Sequence, residues 1–202
     1  MKSNSKRMRA AAVAAGLGLA AALVAAQQPG RVVTPVRDPV IARGEYLVHV
    51  IGCNDCHTPL KMGPQGPEPD MTRLLSGHPE GMAMPPAPQL APDAPWNWAG
   101  AATLTAFAGP WGVSYARNLT PDKETGLGDW SEQQFVTALR TGRHQGIPTG
   151  RMILPPMPWP WYSQLTDEDM HAVWTYLRQI PAIHNAAPQS VPAPPPPAPA
   201  QH

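Results

Sequence analysis

Cysteine is almost absent from this 202-residue chain, and the two that occur, Cys53 and Cys56, sit three positions apart. A small exported domain stapled by disulfides carries more cysteines at wider spacing, so that architecture is excluded and the pair has a local task. Charge is also scarce, with Asp, Glu, Lys and Arg together making up 14% of residues. No basic surplus exists to attract nucleic acid. A run long enough to cross a bilayer with ease is missing at the N-terminus: the uncharged stretch from Ala10 to Ala26 has 17 residues, is rich in alanine, and lies at the lower limit for a span.

Proline and glycine are abundant, at 28 and 17 residues. Hydrophobic residues make up 43% of the chain, but much of that is alanine. The polypeptide alone therefore builds a thin core between Pro-rich connections, a deficit that a large buried prosthetic group would repair.

Lys2, Lys6, Arg7 and Arg9 precede the Ala10–Ala26 run, and Val24-Ala25-Ala26 supplies small residues at its end. Basic, apolar and small-residue regions in that order predict an export signal or an N-terminal anchor over residues 1–26. Residues 27–202 then hold 11 basic against 14 acidic residues, a net charge of −3. The expectation is a periplasmic domain that meets a membrane only through that N-terminal segment, if it is retained.

Residues 27–38 read as a linker. A first helix is expected from Pro39 to Ile51, with proline at its opening position and Val40, Gly44, Leu47 and Ile51 on one face. Gly52 ends it and delivers Cys53 to His57. Residues 58–95 contain ten prolines and no periodicity, which predicts a long loop. Residues 103–119 suggest a short extended pair around Gly109-Pro110. A second helix is expected over Ser131–Thr141, with Ser131 and Gln134 as a capping box and Gly142 as its stop. A last helix is expected over Asp167–Gln179, with Met170, Val173, Trp174 and Leu177 on its apolar face. The division that follows is a domain at 39–184, carrying a Pro-rich insertion at 58–95, and a Pro-rich tail at 185–202 that cannot bury a core of its own.

The chemistry lies in Cys53-Asn54-Asp55-Cys56-His57. Two thiols at this spacing reach the two vinyl groups of one haem as thioethers, and the adjacent histidine is held over the iron. Zinc would need a comparable second pair of ligands, and no other Cys-x-x-Cys or His-x-x-x-His exists. A thioredoxin-like redox pair follows a strand, whereas this one follows a helix. The cofactor expected is a single covalent haem c with His57 as axial metal ligand.

For the other axial position the chain offers Met62, Met71, Met82, Met84, Met152, Met157 and Met170, and as imidazoles His49, His78, His144 and His171. Met157 lies in Leu154-Pro-Pro-Met-Pro-Trp159, where it cannot serve a helical core stripe, the usual role of methionine. It is the favoured metal ligand, with Met152 second. Arg151, Trp159 and Trp161 flank Met157, and Arg117 and Asn118 introduce a turn; as a group they are the donors expected for anionic propionates.

The segments Gly44-Glu-Tyr-Leu47, Cys53–His57, Asn118-Leu-Thr-Pro-Asp122, Thr125-Gly-Leu-Gly-Asp-Trp130-Ser131, Pro156-Met-Pro-Trp159, Leu165-Thr-Asp-Glu-Asp169 and Tyr176-Leu-Arg178 together resemble class I cytochrome c domains. The likeness is to those accompanying bacterial periplasmic alcohol, aldehyde and molybdenum-hydroxylase-type dehydrogenases, and it covers about residues 40–183. It implies an all-α cytochrome c fold of three to four helices around one haem, with the first and last helices crossing and Gly44 meeting the Trp174/Leu177 face. It also implies His57 and Met157 as axial ligands. The chain departs from those subunits in having one attachment motif instead of two or three, and 100 residues between His57 and Met157.

The function expected is electron transfer, not catalysis: Fe(III)/Fe(II) cycling between a dehydrogenase or quinol donor and an acceptor such as a terminal oxidase. The alternative is a haem enzyme or sensor whose sixth position is open to a small molecule.

Overall fold

Asp38 opens the first helix, α1 (Pro39–Val50), by accepting a 2.8 Å hydrogen bond from the Val40 amide, and Pro39 occupies the first turn. The computed structural model describes residues 37–88, 90 and 95–193. The expected signal or anchor at 1–26, most of the linker and the end of the tail lie outside the described residues. Among the described residues no helix is long and apolar enough to cross a membrane.

Gly52 takes the left-handed conformation after α1, with φ of 80°, and the chain turns directly into α2 (Cys53–His57). Helix α3 (Glu132–Thr141) starts with the expected capping box, in which Ser131 and Gln134 bond each other's backbone, and stops at Gly142 with φ of 66°. A short α4 (Trp159–Tyr162) follows. Helix α5 (Asp167–Leu177) is capped by Thr166 and carries three acids in its first turn, where they meet the positive end of the helix dipole.

Helices α1 and α5 form the most extensive helix pair. Gly44 faces the backbone of Ala172 and the Tyr176 side chain, not the Trp174/Leu177 face that the resemblance implies. Trp174 and Leu177 belong to the buried core with Leu47, Val48, Phe135 and Val173, where Trp174 packs on Phe135 at 5.4 Å between centroids.

The all-α expectation is overturned. The described residues are mixed α/β, with five short α-helices and two antiparallel sheets among them. Strands β1 (Leu60–Gly63) and β2 (Gly66–Pro69) make a hairpin inside the segment expected to be a loop. Strands β3 (Ala99–Gly100), β4 (Ala106–Gly109), β5 (Gly112–Tyr115) and β6 (Val191–Pro192) form the second sheet in that spatial order. Its central hairpin turns at Pro110-Trp111, where the extended pair was expected. Strands of two to four residues are too short to show an alternating pattern. The prolines that argue against a sheet sit where they are tolerated, Pro67 and Pro69 in an edge strand and Pro192 in the edge strand β6.

The C-terminal segment is tied to this body. The Asn185 side chain is fully buried; its amide donates to the carbonyls of Ser76 and His78, and its oxygen accepts from Arg73 and the Glu80 amide.

Candidate functional site

Helix α2 places Cys53, Cys56 and His57 in the wall of a cavity of about 440 Å³, within the 300–1,000 Å³ usual for ligand chambers. The Ile153–Pro158 segment with Met157 also lines it, and the sheet contributes Phe107, Ser114 and Tyr115. Leu127, Phe135, Leu139, Val173 and Leu177 bring core side chains to the remaining wall. The chamber therefore joins the helical core to the sheet, and its lining is predominantly apolar.

His57 is buried and its Nδ1 lies 2.7 Å from the Arg117 carbonyl oxygen, to which it donates. That bond sets the tautomer: Nε2 carries the lone pair, and among the described residues it has no hydrogen-bond partner. A backbone carbonyl on the far ring nitrogen is the usual support of a metal-ligating histidine. Burial holds the imidazole below its ordinary pKa, opposed by the bond to Arg117, so the ring is neutral and able to ligate. The His57 carbonyl in turn accepts from the Gly77 amide at 2.7 Å. Gly77 has φ of 80°, and a side chain there would strike the Ala116–Arg117 backbone.

Cys53 and Cys56 form no disulfide with each other. Burial pushes Cys53 up to about 12 and raises Cys56 in the same direction, with Asp55 adding to both. Two cysteines and an adjacent buried histidine on the wall of an apolar chamber suit thioether attachment of a haem.

Arg117 and Arg151 both reach the cavity. Desolvation lowers the pKa of each, and the proximity of Arg151 lowers that of Arg117 further. Arg117 donates to the carbonyls of Ala187 and Pro188 at 2.7 and 2.8 Å. Among the described residues neither guanidinium has a carboxylate within 4 Å. Two neighbouring cations on a mainly apolar chamber, neither paired with a carboxylate among the described residues, suit a ligand that carries its own carboxylates. His144 lines the same region, lowered by burial and by both arginines.

Of the other residues singled out in the sequence, Asn118 is on the wall, with its amide donating to Thr125 and Ile183 and its oxygen accepting from Thr120. It shapes the turn and has no free donor. Trp159 does not line the cavity; its ring covers Gly142 at the end of α3. Trp161 is exposed on α4. Met152 is exposed and paired with Arg143 in an isolated bridge. Met170 is fully buried in the core.

Three supports were invisible in the sequence: the Arg117 carbonyl under His57, the Tyr162 hydroxyl donating to the Ile51 carbonyl at 2.6 Å, and the Ser114 hydroxyl on the Pro155 carbonyl at 2.6 Å. Each involves a backbone carbonyl, which no residue type announces.

No protein-family model matches the chain. It is 30% identical over 151 residues, 75% of its length and 24% of the relative's, to the gluconate 2-dehydrogenase cytochrome c subunit of Pantoea cypripedii. It is 28% identical over 170 residues, 84% of its length and 27% of the relative's, to the fructose dehydrogenase cytochrome subunit of Gluconobacter japonicus. With the cytochrome c subunit of the quinone alcohol dehydrogenase of Komagataeibacter europaeus the figures are 31% over 153 residues, 74% and 26%. The chain spans about a quarter of the length of these relatives. Its homologues are thus cytochrome c subunits of bacterial dehydrogenases.

Proposed function

We propose that the chain is a periplasmic electron-transfer protein carrying one haem c, attached through Cys53 and Cys56 and ligated by His57 and Met157. Its donor would be a dehydrogenase or a quinol. The observation that carries this reading is the convergence of both thiols, the His57 imidazole and the Met157 thioether on one chamber, although 100 residues of sequence separate His57 from Met157. Haem c bound there would supply reversible one-electron chemistry at iron.

The chain's own part is to bind, orient and exclude water. The Arg117 carbonyl fixes the His57 ring so that Nε2 is the free nitrogen. The apolar lining from the core and from Phe107 keeps the chamber dry, and Met157 supplies a soft, uncharged ligand that favours the reduced metal. Arg117 and Arg151 would neutralise the propionates, and Asn118 holds the turn that carries Arg117. If His57 and Met157 both held the iron, no ligand position would be left for a substrate, which would separate a carrier from a haem enzyme or sensor.

Optical spectra of the purified full chain test this. The oxidised protein should show a weak Met-to-iron charge-transfer band, lost in Met157→Ala and kept in Met152→Ala. Haem released from the denatured protein by organic extraction would overturn the attachment, and a band surviving in Met157→Ala would overturn the ligand.

A further inference from the structure

The Met157 segment is poorly equipped to hold itself in place. Of the four residues Pro155-Pro156-Met157-Pro158, only Met157 has a backbone N–H, and it is used locally on the Leu154 carbonyl at 3.3 Å. Ile153 upstream is tied to the Gly142 carbonyl at 2.8 Å, and Pro158 downstream accepts only from α4. Among the described residues, one hydrogen bond joins the stretch from Leu154 to Met157 to the rest of the molecule. It runs from the Ser114 hydroxyl on β5 to the Pro155 carbonyl, at 2.6 Å and across 41 positions of sequence.

Ser114 is buried, at 7% exposure, and its surroundings aim its single proton. Trp111 Nε1 donates to the same oxygen at 3.3 Å, and the other acceptor in reach, the Phe107 carbonyl, is at 3.5 Å. The short bond to Pro155 is therefore the one the proton makes. We propose that Ser114 is a positioning residue: the four-stranded sheet uses it to hold the Met157 loop closed on the cavity. This rests on the haem reading above.

The test is competition at the sixth position by imidazole, titrated against the oxidised full-length holoprotein and read optically. Ser114→Ala removes the tie, and the loop should yield to imidazole with about fivefold to tenfold tighter apparent binding, the effect of losing one buried hydrogen bond. Ser114→Thr keeps the hydroxyl and should bind as the wild type does. Ser76→Ala is the control for losing a buried hydroxyl as such, because the Ser76 Oγ is buried without a partner, and it should leave imidazole affinity unchanged. If Ser114→Ala does not accumulate, Ser114→Val is compared with Ser114→Thr, which has the same shape and differs by the hydroxyl alone.

A Ser114→Ala or Ser114→Val protein that binds imidazole as weakly as the wild type overturns the proposal. So does equal tightening in Ser76→Ala. Wild type binding imidazole as tightly as Met157→Ala is a different failure: it removes Met157 as ligand, and with it the reading on which this inference rests.

Discussion

Replacing Gly44 by alanine sets two opposed effects against each other at the α1–α5 crossing. In an exposed helix the change stabilises by about 1 kcal/mol, because alanine orders at lower entropic cost than glycine. At this position the added Cβ would run into the Ala172 carbonyl oxygen and stand 2.6 Å from the Ala172 carbonyl carbon and 2.8 Å from the Tyr176 Cβ. Ordinary carbon contacts lie at about 3.5–4.0 Å, so the helices must part by about 1 Å. Backbone of a packed helix cannot rotate away as a flexible side chain would, which places the overpacking cost near the upper end of about 1–3 kcal/mol. The net expectation is a loss of about 2 kcal/mol. For a chain of this size that lowers the thermal midpoint by about 4–8 °C. The assay is equilibrium urea unfolding of the holoprotein, with Val50→Ala as control; Val50 lies on the same helix at 56% exposure and should change stability by less than about 0.5 kcal/mol. A Gly44→Ala protein as stable as the wild type, or more so, would refute the claim that this glycine exists for close approach.

Asn185→Ala should cost about 3 kcal/mol or more, since it strips partners from Arg73, the Glu80 amide and two buried carbonyls at once; a urea midpoint equivalent to a loss below about 1 kcal/mol would show that network to be dispensable. His78 is fully buried, its Nδ1 bonded to Thr105 at 2.9 Å and its Nε2 without a partner, and burial lowers its pKa. Below the unfolded value of about 6.5 the unfolded chain takes up this proton before the folded one does, so stability is complete above that pH and falls as pH drops, by up to about 1.4 kcal/mol per pH unit. His78→Asn, which retains a donor or acceptor near the Nδ1 position, should flatten a pH series of unfolding midpoints between pH 6.5 and 5; an unchanged acid slope would assign it to other groups.

The helices were legible because their ends are local chemistry. Pro39, the Ser131/Gln134 box, Gly142 and Thr166 act within three or four residues of themselves, and each stands where the sequence puts it. The sheet was not legible, for two physical reasons. Its strands are two to four residues long, below the length at which alternation can be read. Its outer strand β6 comes from Val191–Pro192, whose partner β5 lies about 80 positions earlier in the chain. The same division runs through the site. Cys53, Cys56 and His57 stood out by spacing as candidates, and Met157 stood apart from Met170 because one sits in a proline-stiffened loop and the other on a helical stripe. The acceptors at Arg117 and Pro155 could not be named, since a carbonyl oxygen looks alike at every residue.

That division bears on why His57 and Met157 stand so far apart. Part of the chain between them supports the site. It passes under the histidine side, where the Gly77 amide bonds the His57 carbonyl and the His78 amide bonds Ala116, the residue before the carbonyl that holds the imidazole. It then crosses to the methionine side, where β5 holds the Pro155 carbonyl through Ser114. Leu75 and Thr58, both buried, join the same stretch to α2 through the Leu75 amide and the Thr58 hydroxyl at 3.0 Å. The two ends are thus braced by different pieces of that chain: residues 75–78 support the His57 side, and β5 supports the Met157 segment.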